Sequence, residues 1–223
     1  THCTSSAASD VYKRQEIYRH LELDWVPPEL REDTGEIAAA QDESLPRLIV
    51  PSDVKGALHN HTTLSDGDAT LEQMADAARN IGWNWLGVAD HSPTLKVANG
   101  ASAEDLLAQG EQIKKYNKSW QEQGVDFKLF HGVESDILEA GKLDHPDDVL
   151  AELDYVVASV HAMTKWKNRD EVTNTEELIR CIDHPATTIL GHPTGRILQG
   201  RDGYEVDMFA IIEHMACLLY TSP

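Results

Sequence analysis

The fold is decided by VKGALHNH, Val54–His61, an apolar run that closes on two histidines. Four further runs close in the same way: WNWLGVADH (Trp83–His91), FKLFHGVE (Phe127–Glu134), YVVASVH (Tyr155–His161) and TTILGH (Thr187–His192). Strands covered on both faces read as continuous apolar runs, and β/α barrels gather their chemistry at the C-terminal ends of such strands. Five runs that each end in His or Glu therefore describe one ring of ligands.

Residues two apart on a strand point to the same side, so His59 and His61 share a face and can approach one ion. Asp66 follows in a Ser-Asp-Gly turn, close enough to reach back to the same mouth, and His91, Glu134, His161 and His192 arrive from four other strand ends. Imidazole nitrogen with carboxylate oxygen suits Zn²⁺, Mn²⁺ or Fe²⁺, and no thiolate contributes. Seven ligands exceed the needs of one ion. Glu134 is expected to bridge two ions, with a third beside them. Such clusters activate water and clamp the oxygens of a phosphoryl displacement, which favours phosphoester hydrolysis. Each residue also has an ordinary reading, as a core histidine, a turn-forming aspartate or a helix-start charge. Those readings must hold separately at five successive strand ends, whereas a metal centre explains all of them together. His131 stands three residues before Glu134 and should face the opposite side of its strand. His145, His184 and His214 read as surface or capping groups.

Helix-like segments separate the runs. Thr70 can cap Leu71–Ile81, Ser102 or Ala103 opens a long polar helix reaching Gln123, Asp148–Leu153 is a shorter one, Thr175 opens Leu178–Ile182, and Val206–Met215 starts another. Alternating strands and helices imply parallel strands with right-handed crossovers, an α/β fold of the distorted β/α (TIM-like) barrel kind. Upstream, the paired Pro27 and Pro28 in VPPELREDTGEIAAA cannot sit inside a helix, so residues 16–52 read as a linker with a small helix around Glu36–Gln41. The compact domain is expected over residues 53–216.

Both ends look foreign. Asp10–Gln15 (DVYKRQ) and Cys217–Ser222 (CLLYTS) back-translate into nearly perfect reverse complements that resemble a sequencing-library adaptor. Residues 1–15 and 217–223 are therefore expected to be adaptor-derived tails with few packing contacts, leaving the barrel incomplete at its C-terminus. With Cys3 and Cys217 set aside only Cys181 remains, and disulfides are not expected. A net charge of −19 argues against a broad nucleic-acid-gripping face, although bound cations can supply positive potential locally. No apolar stretch is long enough to span a bilayer, so a soluble, cytoplasmic monomer without membrane association is expected.

The motifs GALHNHTTLSDG, GVADHS followed by KVANG, GVESDI, ASVH and GHPTGR, in this order, resemble the polymerase and histidinol phosphatase (PHP) domain. The likeness is greatest to the form at the C-terminal half of bacterial family X DNA polymerases, and it extends from Glu16 to Ala216, with IYRHLELDWVPPELREDTGEIAAA similar to the stretch that leaves the polymerase thumb. The resemblance implies three divalent ions, Mn²⁺ or Zn²⁺ with Fe²⁺ allowed. The first would take His59, His61 and Glu134, the second Glu134, His161 and His192, and the third Asp66 and His91. It also implies a late Asp-x-His motif that this sequence does not contain, so the chain as written is expected to be weak or inactive. For the parent it implies a 3′–5′ exonuclease or DNA 3′-end phosphoesterase beside a polymerase, with DNA 3′ ends as partner. Lys96 and Arg196, just after strand ends, are candidates to hold substrate phosphate. Three alternatives remain open: a stand-alone phosphatase of a small phosphomonoester such as histidinol phosphate, a scaffold PHP domain without catalysis, and an amidohydrolase. The last would place a carbamylated lysine where this chain has Glu134.

Overall fold

The structure, a computed structural model, describes residues 14–197 and 199–221. The chain divides into two compact units, Thr1–Asp53 and Val54–Pro223. In the first, helix α1 covers residues 14–20 and α2 is Glu36–Gln41, with 3-10 turns at Pro28–Leu30 and Pro51–Asp53. Pro28 stands in the first turn, where its missing N–H costs nothing. Arg31 ties this unit together. Its guanidinium lies 4.6 Å from the Trp25 ring centre and donates to the Val26 carbonyl at 2.9 Å.

In the second unit the five apolar runs each contribute a strand: β1 Gly56–Asn60, β2 Trp85–His91, β3 Lys128–Asp136, β4 Tyr155–Ser159 and β5 Ile189–Gly191. All pair in parallel, in the order β1-β2-β3-β4-β5. A parallel sheet in strict sequence order, without the reversal of a doubly wound sheet, is the wall of a β/α barrel. Among the described residues β1 and β5 do not pair with each other, so the barrel is open.

Strand alternation sorts the core into layers. Outward from β2 and β3, Leu86, Val88 and Leu129 pack with Leu71, Ala75 and Ala78 of α3 (Leu71–Asn80) and with Ile113 and Trp120 of α4 (Ala103–Glu122). Each such fully buried aliphatic side chain contributes about 1.5–3 kcal/mol of transfer free energy. Further along, Val133, Val156 and Ala158 pack with Leu178 and Cys181 of α7 (Glu171–Ile182) and Ile211 of α8 (Met208–Thr221). Inward-facing Ala89, Tyr155 and Val157 form a smaller layer with Phe130 and Ile189. The wide ligand-bearing mouth lies above it.

Several helix ends follow the sequence closely. Thr70 and Gln73 form a capping box on α3, and Ser102 caps α4 by accepting from the Asp105 amide. The start of α7 differs from expectation: Asp170 caps it by accepting from the Thr173 N–H at 2.7 Å, so the helix opens at Glu171 rather than at Thr175. Thr175 instead lies within the helix, its hydroxyl donating to the Glu171 carbonyl. Helix α5 covers Asp147–Leu150, shorter than expected, and α6, Met163–Lys167, was not anticipated; it is anchored by the fully buried Trp166. Helix α8 opens at Met208 because Asp207 accepts from the Phe209 and Ala210 amides. The expected tails fall largely on residues 1–13 and 222–223, which lie outside the described residues. Where the C-terminal tail is described, α8 runs on to Thr221 and Leu218 packs against the core, contrary to the expectation of few contacts. Among the described residues no helix is long and apolar enough to cross a membrane.

Candidate metal centre

The centre of the mouth is Glu134. On β3 the alternation sends Glu134 and Asp136 inward and His131 and Val133 outward, so the carboxylate rises between the neighbouring strand ends with its side chain only 2% exposed. Five imidazoles converge on it. His192 Nε2 and His59 Nε2 approach Oε1 at 2.8 and 3.1 Å, and His161 Nε2 approaches the same oxygen at 3.3 Å. On the other side His91 Nδ1 and His61 Nε2 approach Oε2 at 2.9 and 3.5 Å. Asp66, at the half-exposed rim, lies 3.5 Å from His61 Nδ1 and 3.6 Å from His91 Nε2. The structure thus brings together all seven residues singled out in the sequence.

The paired histidines reach this cluster through an irregularity. Strand β1 pairs Gly56 with Trp85 and Ala57 with Leu86, but then Asn60 with Val88, so one extra residue is inserted and His59 takes a left-handed φ of 61°. Uninterrupted alternation would have sent His59 and His61 outward with Ala57. The bulge turns both inward, a conformation that costs a non-glycine residue about 1 kcal/mol or more. The spacing HxH correctly gives a shared face; it does not say which face. The Tyr155 hydroxyl supports the bulge, accepting from the His59 N–H at 3.3 Å. Glycines on β2 and β3, the strands between β1 and β4, make room for that ring: a Cβ at Gly132 would stand 2.6 Å from Tyr155 Cε1, and one at Gly87 2.7 Å from its hydroxyl.

The electrostatics suit a cation site. Burial alone would raise the Glu134 acid, yet the surrounding imidazoles, His161 foremost, hold it far below the usual carboxylate range. Burial likewise pulls His161 down, but Asp136 and Glu134 outweigh it and push the imidazole up to about 9. His61 is lowered, by burial first and by His91 second. His61 Nδ1 and His91 Nδ1 are both buried without a hydrogen-bond partner, although carboxylate oxygens lie 3.5 and 2.9 Å away. Donor atoms that face one another at ligand spacing, without hydrogen-bond geometry, fit a shared cation. Among the described residues three groups place ligand atoms within 4.8 Å of one another: His59, His61 and Glu134; His61, Asp66 and His91; and His91, Glu134 and His161. The nitrogen and oxygen donor set matches Zn²⁺, Mn²⁺ or Fe²⁺.

Two supporting residues escaped the sequence reading. Asp136 bonds His161 Nδ1, which directs Nε2 towards Glu134; its signal was the spacing Glu-Ser-Asp, which puts both carboxylates on one face of β3. Tyr155 had no signal, since it reads simply as an apolar strand start. Lys96 and Arg196 are exposed, and among the described residues neither makes an ion pair. His131 faces outward as expected, buried against α4 where a Cβ at Gly110 would stand 2.7 Å from its Cε1, and burial holds it down to about 4. His184 accepts from the Ala186 amide, and His214 pairs with Asp183 at 2.6 Å. His145 is a correction: it is 5% exposed rather than a surface group, and it lies in the loop between β3 and α5, whose Leu143 is buried in the core as well.

The PHP domain family matches residues 57–217. The chain is 39% identical over 199 residues to the "DNA polymerase/3′-5′ exonuclease PolX" of Bacillus subtilis, an alignment covering 89% of this chain and 33% of that protein. It is also 32% identical over 158 residues to a probable phosphatase of Clostridium acetobutylicum, covering 70% of this chain and 57% of the relative. The chain thus spans about a third of the first relative and somewhat over half of the second. A solved structure of a candidate histidinol phosphatase from Listeria monocytogenes overlaps 48% of this chain and 45% of its own, with a TM-score of 0.39 and 18% identity.

Proposed function

The chain belongs to the PHP domain family, and on that premise we propose that the Glu134 cluster holds three divalent cations and hydrolyses phosphoesters, at DNA 3′ ends in the longer protein of which this chain is a part. The observation that carries the proposal is a carboxylate 2% exposed, approached by five imidazoles, with no Lys or Arg partner among the described residues. A buried carboxylate needs partners for its charge, and here they are imidazoles, whose ring nitrogens also ligate divalent cations. His59, His61 and Glu134 would hold the first ion, Glu134, His161 and His192 the second, and Asp66 with His91 the third.

Divalent cations bound there would neutralise phosphate charge and lower the pKa of water at neutral pH. The residues of the chain supply the rest. Glu134 provides the central anion, and the imidazoles add donors without adding negative charge, so the mouth stays attractive to phosphate on an otherwise acidic protein. Asp136 accepts a hydrogen bond from the Nδ1–H of His161 and leaves Nε2 as the donor atom. Lys96 and Arg196 are assigned to the phosphate of the substrate, being exposed and without an ion-pair partner among the described residues.

The DNA assignment is supported by the match to the Bacillus subtilis protein, which extends across 89% of the chain and so beyond the barrel. In this reading residues 16–52 enter from a preceding polymerase half, residues 53–216 form the phosphoesterase domain, residues 1–15 and 217–223 are foreign, and the protein works in the cytoplasm as a monomer. The match to probable phosphatases favours a second reading, hydrolysis of a small phosphomonoester. The test is to incubate the chain, and the chain extended to its natural C-terminus, with Mn²⁺ or Zn²⁺ and either 3′-labelled DNA or histidinol phosphate. Shortening of DNA from the 3′ end by the extended chain, abolished by chelation, is the expected result, with the chain as written weak or inactive. Rapid turnover of the small ester with intact DNA would establish the second reading instead.

A further inference from the structure

We infer that Asp90 is a positioning residue that sets the His61, Asp66 and His91 group from a single point; this rests on the proposed metal reading and extends it to a residue that touches no ion. Asp90 is fully buried on the outward face of β2, next to His91, and its two oxygens accept four bonds, all at 2.7 Å. Oδ1 takes the Thr62 N–H and the Ser65 hydroxyl, and Oδ2 takes the Thr62 hydroxyl and the Gln109 side-chain amide. No cation pairs with it among the described residues. A buried carboxylate is costly unless its lone pairs are filled, and here they are filled entirely by neutral donors from a loop and from α4.

The placement of those donors gives the residue its role. Thr62 and Ser65 bracket the turn between His61 and Asp66, so the strand that carries His91 also grips the loop that carries the other two members. The turn is further closed by Ser65 and Gly67 amides donating to the Thr62 carbonyl at 3.1 and 2.9 Å. Gly67 approaches so closely that a Cβ there would stand 2.5 Å from the His61 carbonyl oxygen. Gln109 is oriented by Asp90, since its own Oε1 is buried without a partner. Asp66 is otherwise a half-exposed loop residue, with no regular element to aim it. Held in this way, it arrives 3.5 and 3.6 Å from His61 and His91.

The test uses the full chain and Mn²⁺ alone, comparing the parent with Asp90→Asn and with the double variant Asp90→Asn, Gln109→Glu. Calorimetry gives the number and affinity of ions, and hydrogen exchange without metal reports on residues 61–67. In Asp90→Asn one oxygen becomes an amide that opposes the Gln109 amide. The event assigned to Asp66 and His91 should weaken about tenfold, a size typical of groups that orient ligands, with a smaller loss at the ion that shares His61 and no change at the ion on His161 and His192. Exchange over residues 61–67 should rise by a similar factor. Gln109→Glu restores an acceptor for the new amide and should recover both. If Asp90→Asn does not fold, as judged by circular dichroism, Ser65→Ala removes one of the four bonds and should weaken the same event several-fold. Variants that bind and exchange like the parent would overturn the positioning role alone. A parent that binds no Mn²⁺ would overturn the metal reading, and the positioning role with it.

Discussion

Glu134 and His59 both stand at the mouth of the barrel, yet they reach it by opposite means. At the end of β3 the ligand is delivered by regularity: seven consecutive residues of β2 and β3 pair in unbroken register, and alternation alone points Glu134 and Asp136 inward. At the end of β1 the ligand is delivered by a break in register, a left-handed residue and a phenol that accepts its amide. The first arrangement is held by the whole sheet, whereas the second depends on a few individual bonds. Damage to the support should therefore be local at β1, whereas loss of the β3 carboxylate should affect the whole cluster.

The largest expected effect follows from that contrast. Glu134→Ala removes the group that all five imidazoles approach, so metal-dependent hydrolysis should disappear and bound metal should fall by more than one ion per chain. Asp66→Ala removes one rim ligand and should lower activity by about 10- to 100-fold, with only one ion lost. Parallel assays with metal analysis rank the two; equal losses would break the assignment of Glu134 as the bridging group.

A smaller effect is expected where β1 is supported. Tyr155→Phe leaves the ring in the space made by Gly87 and Gly132 but removes the acceptor of a partly buried amide, a change of about 1 kcal/mol. The affinity of the ion on His59 and His61 should fall about fivefold, while thermal unfolding of the metal-free protein moves by only a few degrees. Titration with Mn²⁺ checks the first and calorimetry the second. An unchanged affinity would mean that the bulge is held by the sheet itself.

A further effect, on stability rather than on metal affinity, concerns His131, on the face away from the cluster. Burial holds its folded pKa at about 4, against about 6.5 in the unfolded chain. Above pH 6.5 both states are neutral there. As the pH falls from 6.5 towards 4 the unfolded chain takes the proton and the folded one does not, so stability drops. Between pH 7.5 and 5 this residue should account for a loss of about 2 kcal/mol. In His131→Leu that part of the loss should vanish, as read from urea unfolding at the two pH values. Identical losses in parent and variant would mean that His131 is solvated in the native state.

The same contrast explains what was legible in the sequence. The strands, their parallel order, the seven clustered residues and the starts of α3 and α4 follow from local patterns: apolar runs and cap residues. Register does not, because the pairing of β1 with β2 is set by contacts from distant parts of the chain, so HNH announced two histidines on one face without revealing that a bulge turns that face inward. Asp136 was hidden for a different reason. It sits two residues beyond Glu134 in a motif already explained by one carboxylate, and its use becomes visible only once His161 is seen against it. Helix α6 is short and depends on the burial of Trp166, so it leaves little periodic trace. The start of α7 was misplaced because Asp170 and Thr175 are both good caps, and only the packing of the helix chooses between them.

The central claim is that the Glu134 cluster is a metal centre. Crystals of the chain soaked in Mn²⁺ and measured at wavelengths on either side of the manganese edge test it directly. The account expects anomalous peaks within coordinating distance of both Glu134 oxygens, one flanked by His59 and His61 and one by His161 and His192, with a third beside Asp66 and His91. Anomalous maps without a peak at Glu134, or with manganese bound only at surface carboxylates elsewhere, would contradict it.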